Sequence, residues 1–475
     1  MLAATASVLA YLGVSAAGGY VGFPLDDAWI HQTYARNLAA RGEFAFIPGQ
    51  PSAGSTSPLW TGLLALGYLA HIDYRVWTYA LGAGLLALNA WLVYRLVLRL
   101  WPQASTAALA AGLLVTVEWH LVWSAASGME TLLFSACALL VFVLDWPSHA
   151  GLCGLIAGLA VLTRPDGLSL LPFLAVRAWV DGPRSWRPLV RSGLAFASMF
   201  IPYLLLNVRL SGSPWPNTFY AKQAEYAILR SLPLWTRLAN VGALPFVGVL
   251  ALLLPAIMIV AGRAAYRRRW DVLAVLGWVV VMVSAYALRL PVTYQHGRYL
   301  IPVIPILAGV GVGGLAEIAR PLSTRLLVRV TSRAWLAAVA VLGAGFWLRG
   351  ALAYRSDVQI IETEMVATAR WVAGHTATND LVAAHDIGAL GYFGGRRVLD
   401  MAGLVSPEVI PFIRDESQMR AWLDASGAAY LETFPGWYPS LSSSLAGQEV
   451  FVTGAPYSPA ENGENMAVYR WPPRP

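Results

Sequence analysis

The chain has 475 residues, 57% of them hydrophobic and only 12% charged. Soluble domains carry nearer a quarter charged residues, so most of this chain must be solvated by lipid. The net charge of +7 could suit nucleic acid, but the arginines fall in short clusters between apolar runs. That is the positive-inside pattern of a membrane protein, and no nucleic-acid partner is implied.

The first apolar run, 2–22, is long and poor in N-terminal charge, which predicts a retained helix rather than a signal peptide. Directly after it come Asp26 and Asp27, where the chain should leave the bilayer. A helix starting at Ala28 wants one acidic N-cap; the second carboxylate is spare and could act as a general base or a metal ligand. Ile30, Tyr34 and Leu38 then repeat at helical spacing up to Gly42, predicting an amphipathic helix over 28–41 that lies on the membrane. A turn-rich run ends in Ser57 and Pro58, the N-cap and first position of a short helix over 58–70.

Further apolar runs lie at 76–98, 104–124, 129–145, 150–163, 167–180, 190–210, 238–262, 271–289, 300–319 and 334–349, making about eleven spans at ~20 residues each. The short pair around Thr163–Gly167 suggests a helical hairpin with a polar tip. Cys137 and Cys153 both lie in apolar runs and give no disulfide framework. Gly309 to Gly314 imitates a phosphate loop but lies inside a span, where close helix packing explains it.

Arginine sets the topology. One orientation gathers Arg95 and Arg99; Arg177, Arg184, Arg187 and Arg191; Arg263, Arg267, Arg268 and Arg269; and Arg320, Arg325, Arg329 and Arg333 on the cytoplasmic side. The Asp pair and everything after residue 350 then face outward from the cytoplasmic membrane. The outer-face basic candidates are Arg164, Lys222 (the only lysine), His296 and Arg298, with Tyr299 beside the last. Snorkelling or headgroup anchoring is the plainer alternative for each. Glu130 could cap a helix or serve the site.

From Ala351 polar residues rise. Helices are predicted at 358–373 and 416–426, and strands at 381–384, 397–399 and 428–431, a small α/β domain. Asp386 and Asp400 stand at strand ends, where turn roles compete with contact to an acceptor glycan.

Several segments, in order, carry a resemblance. They are Asp26-Asp27-Ala28-Trp29-Ile30 through Ser55-Thr56-Ser57-Pro58-Leu59-Trp60, Ser127-Gly128-Met129-Glu130-Thr131, Leu162-Thr163-Arg164-Pro165-Asp166-Gly167, Trp215-Pro216-Asn217-Thr218-Phe219-Tyr220-Ala221-Lys222 and Gly297-Arg298-Tyr299-Leu300-Ile301-Pro302. Together they resemble the GT-C glycosyltransferases, most closely bacterial arabinofuranosyltransferase-like and mannosyltransferase-like members. The resemblance implies a polytopic α-helical GT-C-like domain over 1–350, with a catalytic outer loop at 23–57, and a C-terminal extracytoplasmic α/β domain over 351–475. It implies inverting transfer of a sugar such as arabinofuranose or mannose. The donor would be a polyprenyl-phosphate sugar, and the acceptor a cell-envelope glycan, glycolipid or glycoprotein.

Such a transfer needs a base for the acceptor hydroxyl and cations for the departing phosphate. Asp26 is expected as the base, with Asp27 next. Asp27 and Glu130 would orient the acceptor or hold a divalent cation (Mg2+ or Mn2+). Glu130, Arg164, Lys222, His296, Arg298 and Tyr299 would bind substrate, the phosphate falling to Arg164, Lys222 and Arg298. No Rossmann pattern precedes the spans, which argues against a nucleotide-sugar donor or nucleotide cofactor. The rival is a transporter or flippase of a lipid-linked substrate, but few ionisable residues lie near mid-span.

Overall fold

The computed structural model describes residues 1–180, 186–319 and 326–472. Arg184, Arg320 and Arg325, and the last three residues of the Pro-rich tail, lie outside the described residues. The membrane part comprises α1 (Leu2–Ala17), α2 (Asp26–Arg41), the hairpin β1 (Ala45–Ile47) and β2 (Gln50–Pro51), α3 (Pro58–Leu69), α4 (Tyr74–Leu100), α5 (Ser105–Val117), α6 (Trp119–Ala126) and α7 (Thr131–Val143). It continues through α8 (Trp146–Thr163), α9 (Leu170–Val180), α10 (Arg187–Ser211), α11 (Asn217–Glu225), α12 (Leu234–Ala243), α13 (Leu250–Tyr266), α14 (Trp270–Arg289), α15 (Ile304–Ala319) and α16 (Leu326–Ile361).

Among the described residues, five helices are long and apolar enough to cross a membrane, or seven if each bent pair is one span. The chain is an integral membrane protein. Four further apolar helices are shorter, at 10–17 residues, so the expected eleven segments are helical without all having crossing length. The bends have local causes. Between α5 and α6, bent by 51°, Glu118 is extended and its side chain accepts from the Leu121 N–H, restarting the helix with a cap. The 113° break before α13 contains Gly248 at φ +131°, a conformation that favours glycine. In α15, Gly311, Gly313 and Gly314 meet Leu253, Trp101 and Val260, the close packing expected of that stretch.

The helix expected to be amphipathic is instead enclosed by protein. α2 is buried on most sides, including His31, Gln32, Thr33 and Asn37. These polar side chains find internal partners: Gln32 donates to Thr78 at 2.9 Å and Asn37 to the Ala45 and Phe46 carbonyls at 2.9 and 3.0 Å. Satisfied polar groups can be buried at little cost. Trp29 and Tyr34 of α2 join Val366, Val382 and Leu390 in one apolar cluster, so α2 lies between the membrane helices and the C-terminal unit.

No break occurs at residue 350. α16 runs on through a π-helical turn, Glu362–Val366, into α17 (Ala367–His375), which replaces the separate helix expected at 358–373. Glu364 ties that turn to the sheet, accepting from the Met466 N–H at 2.8 Å and Asn465 Nδ2 at 2.9 Å. The sheet has the order β4-β3-β5-β7-β6, with β3 (Leu381–Ala384), β4 (Arg397–Asp400), β5 (Tyr430–Thr433), β6 (Glu449–Val452) and β7 (Ala467–Arg470). β3, β4 and β5 are parallel and match the expected strands to within about two residues; α18 (Glu416–Ser426) matches its prediction. The antiparallel β6 and β7 were not expected; β6 is largely exposed. The carboxyl ends of the parallel strands, where such sheets place ligand-facing groups, carry His385, Asp386 and Asp400.

Candidate active site

The start of α2 decides the roles of the acidic pair. Leu25 is the N-cap and makes no side-chain cap bond, so Asp26 and Asp27 are both first-turn residues. The positive end of the helix dipole favours both carboxylates there. Adjacent helical residues project about 100° apart, so the two side chains serve different surroundings.

Asp26 faces the C-terminal unit and does not line the central cavity. Its Oδ2 accepts from the Gly388 N–H at 2.7 Å and its Oδ1 from the Ala389 N–H at 2.8 Å. Burial, then Asp386, pushes its pKa up to about 8. Asp27 lines the cavity, with Oδ2 at 2.5 Å from Arg298 Nη2 and 3.2 Å from Lys222 Nζ. Burial alone would raise its pKa, but the two cations outweigh burial and hold the carboxyl well below the usual range. The Lys222 ammonium, which burial would lower, is held above its ordinary value chiefly by Asp27.

A second polar group faces the same cavity. Glu130 stands at the N-cap position of α7 but makes no side-chain cap bond. Its carboxylate lies 3.3 Å from His31 Nε2 and 3.8 Å from Arg164 Nη1. Arg164 leaves α8 in an extended conformation, donating to Asp166 at 2.9 Å through Nε and to the Tyr286 hydroxyl at 2.6 Å through Nη2. The Tyr286 hydroxyl in turn donates to Asp166. The hairpin tip folds tightly because Gly167 lacks a side chain: a Cβ there would stand 2.4 Å from the Val161 nitrogen. Tyr299 joins the two groups, its ring centroid 5.4 Å from the Arg164 guanidinium and 5.1 Å from that of Arg298, with Tyr286 stacked on it at 5.2 Å.

Between them lies a cavity of about 300 Å³. Of the expected residues, Asp27, Glu130, Arg164, Lys222, Arg298 and Tyr299 line it, whereas Asp26 and His296 do not. The snorkelling and anchoring alternatives fail for Arg164 and Arg298, which are 6% and 5% exposed. His296 pairs instead with Asp357 on α16, Nε2 to Oδ2 at 2.8 Å. His31, Asp166, Thr218, Tyr286 and Leu404 also line the cavity and were not expected there. His31 could have been found, since it follows Asp27 by one helical turn. Leu404 comes from the C-terminal unit, on a turn built by Asp400, which accepts from the Ala402 and Val405 N–H groups at 2.8 and 2.6 Å. Asp400 is thus a turn residue. Asp386 is different: its Oδ2 is buried with no hydrogen-bond partner among the described residues.

The expected cation between Asp27 and Glu130 does not fit these residues. No group of three or more His, Cys, Asp or Glu among the described residues could hold a metal ion. Each acid already faces fixed positive charge, Asp27 from Lys222 and Arg298, Glu130 from Arg164.

Behind Asp26 the C-terminal unit buries more acid than it pairs. Glu432 is 1% exposed, and neither carboxyl oxygen has a hydrogen-bond partner among the described residues. Burial first, then Asp26 and Asp386, holds its pKa well above the usual value. Burial also raises Asp386 to about 6. A carboxyl whose folded pKa is raised contributes stability below its unfolded pKa and loses it as pH rises through the folded one. The melting temperature is therefore expected to fall as pH rises from about 4, the loss completing for these two acids above the values of about 6 and about 8 for Asp386 and Asp26. Glu432→Gln should reduce this dependence; melting curves from pH 4 to 9 that are flat for wild type would contradict the assignment.

Comparison with known proteins agrees with this architecture. Residues 350–469 match a family model described as a domain of unknown function, DUF8728. No curated protein matches the chain. Among solved structures, ArnT from Cupriavidus metallidurans bound to undecaprenyl phosphate is 17% identical, with 98% of this chain and 97% of that one covered and a TM-score of 0.62. The Archaeoglobus fulgidus oligosaccharyltransferase in the apo form is 13% identical, covering 91% and 69%, with a TM-score of 0.60. The oligosaccharyltransferase AglB from Archaeoglobus fulgidus, in complex with an inhibitory peptide and a dolichol-phosphate, is 12% identical over the same shares at 0.57. These likenesses run across the membrane helices and the C-terminal unit together, and this chain shares its fold with ArnT and with the Archaeoglobus fulgidus oligosaccharyltransferase.

Proposed function

We propose that this protein is a membrane glycosyltransferase that moves a sugar from a polyprenyl-phosphate donor to an acceptor hydroxyl at the outer face of the cytoplasmic membrane. The observation that carries the reading is Arg298. It is a buried guanidinium on the cavity wall whose Nε and Nη1 have no hydrogen-bond partner among the described residues. Unpaired buried donors are costly, and an anion bound there would satisfy them. The cavity is lined by Arg164, Lys222, Arg289 and Arg298 against Asp27, Glu130 and Asp166, one positive charge in excess. A phosphodiester linking a sugar to a polyprenol carries one negative charge, so its entry would balance the site. The structural neighbours bound to undecaprenyl phosphate and dolichol-phosphate support a lipid-linked donor, and the arginine-rich loops support the outward orientation.

The chemistry assigned is a single displacement. The acceptor oxygen forms its bond to the anomeric carbon as the bond from that carbon to the phosphate oxygen breaks. The acceptor proton passes to a carboxylate, and the electron pair leaves with the phosphate. We assign the base to Asp27 instead of Asp26, because Asp27 reaches the cavity and Asp26 is spent on two backbone N–H groups. Paired with Lys222 and Arg298, Asp27 is held too acidic to be an effective base. Donor phosphate competes for those two cations and so releases Asp27. Binding the donor thereby switches on the base. Glu130 and His31 remain at the second polar group to receive sugar or acceptor hydroxyls.

The test uses protein in nanodiscs with radiolabelled undecaprenyl-phosphate sugars and membrane glycan acceptors. Asp26→Asn should keep measurable transfer while lowering the melting temperature, because one of its two buried acceptor oxygens is lost. Loss of transfer by Asp26→Asn with Asp27→Asn unaffected would reverse the assignment.

A further inference from the structure

We infer that His296 and Asp357 are positioning residues for the donor phosphate, pinning the left-handed turn that aims Arg298 into the cavity. The inference rests on the reading of Arg298 as a phosphate receptor and extends it to residues outside the cavity.

Gln295, His296 and Gly297 have φ of +52°, +57° and +66°. Glycine tolerates this region readily, but two consecutive side-chain-bearing residues do not, and such a turn persists only where its surroundings hold it. Several contacts do so. His296 Nε2 donates to Asp357 Oδ2 at 2.8 Å, and the same oxygen accepts from Trp123 Nε1 at 2.8 Å. The imidazole stands edge-on to Trp119 and Trp123, with ring centroids 5.3 and 5.1 Å away. At Gly297 a Cβ would come within 2.8 Å of the Leu244 side chain, so the turn fits closely against the wall behind it. The turn closes with the Arg298 N–H donating to the Gln295 carbonyl at 3.2 Å.

The next two residues act at the cavity. Arg298 Nη2 meets Asp27 at 2.5 Å and the Tyr299 hydroxyl at 3.3 Å. A guanidinium at the end of a long side chain keeps its aim only if its backbone is fixed. Here the fixing contact is the hydrogen bond to Asp357 on α16, the helix that continues into the C-terminal unit. Asp357 itself falls within the segment matched by the domain of unknown function. The first helix of that segment thereby holds the phosphate-facing arginine in place.

The experiment measures undecaprenyl phosphate binding by the full-length protein in nanodiscs, with undecaprenol as the uncharged control. His296→Gly accepts the left-handed backbone and leaves the Trp123–Asp357 bond in place, so it removes the anchor with little risk to folding. It should weaken undecaprenyl phosphate binding about 10- to 100-fold, the range for misplacing a binding group by about an ångström. His296→Gln, which can still donate to Asp357, should recover most of that loss. In an Arg298→Ala background His296→Gly should cost nothing further, because residues acting through one group are non-additive. Wild-type affinity for His296→Gly, or an undiminished effect without Arg298, would overturn the inference. Wild type binding undecaprenyl phosphate no tighter than undecaprenol would overturn the phosphate reading itself, and this inference with it.

Discussion

Asp27→Asn is expected to lower transfer by about 10²- to 10⁴-fold, the usual contribution of a general base, while tightening donor binding. The opposite signs are what make the result informative. The Asp27 carboxylate competes with the incoming phosphate for Lys222 and Arg298, at 3.2 and 2.5 Å. An asparagine is nearly the same shape but carries no charge, so both cations become freer to meet the phosphate. It also cannot take a proton at any accessible pH. Undecaprenyl phosphate titration should show a lower Kd for the variant, and single-turnover transfer should show the lost chemical step. A residue with a merely structural role would weaken both. Unchanged transfer would remove Asp27 from the reaction.

Arg298→Met should do the reverse, weakening undecaprenyl phosphate binding about 10- to 150-fold, the equivalent of ~1.5–3 kcal/mol for a hydrogen bond to a charged group. Methionine keeps much of the apolar stem and removes the planar head. Asp27 would keep Lys222 alone, and Tyr299 would lose the cation over its ring at 5.1 Å. The deficit should be largest when donor is limiting and shrink as it saturates. A binding constant within twofold of wild type would show that the phosphate sits elsewhere in the cavity. The pair of variants thus moves donor affinity in opposite directions, a pattern hard to produce by general destabilisation.

Much of the site could be read in the sequence because its residue types are out of place in lipid. The acidic pair, Glu130, Arg164 and Arg298 all stand beside apolar runs, where burial is costly without function or a partner, and Lys222 is the only lysine of the chain. What could not be read was which carboxylate does what. Starting α2 at Asp26 in place of Ala28 turns each side chain by about 100° per residue. The two N–H groups that claim Asp26 lie more than 360 residues away in the chain. His296 misled for a similar reason: only two residues before Arg298 in sequence, it points the other way because the turn that joins them is left-handed. Leu404 carries no chemical signal and reaches the cavity only through tertiary packing. The burial of α2 was hidden too, since a helix whose polar groups are satisfied internally has the composition of one facing water.

The most direct test is transfer itself, with purified wild-type protein in nanodiscs, a panel of radiolabelled undecaprenyl-phosphate sugars including arabinofuranose and mannose, and membrane glycans as acceptors. The proposal predicts labelled product from wild type with one of the donors, and product from Asp27→Asn only at the background level. Movement of the labelled lipid across sealed vesicles without any covalent product, from wild type and variant alike, would contradict it and identify a transporter instead.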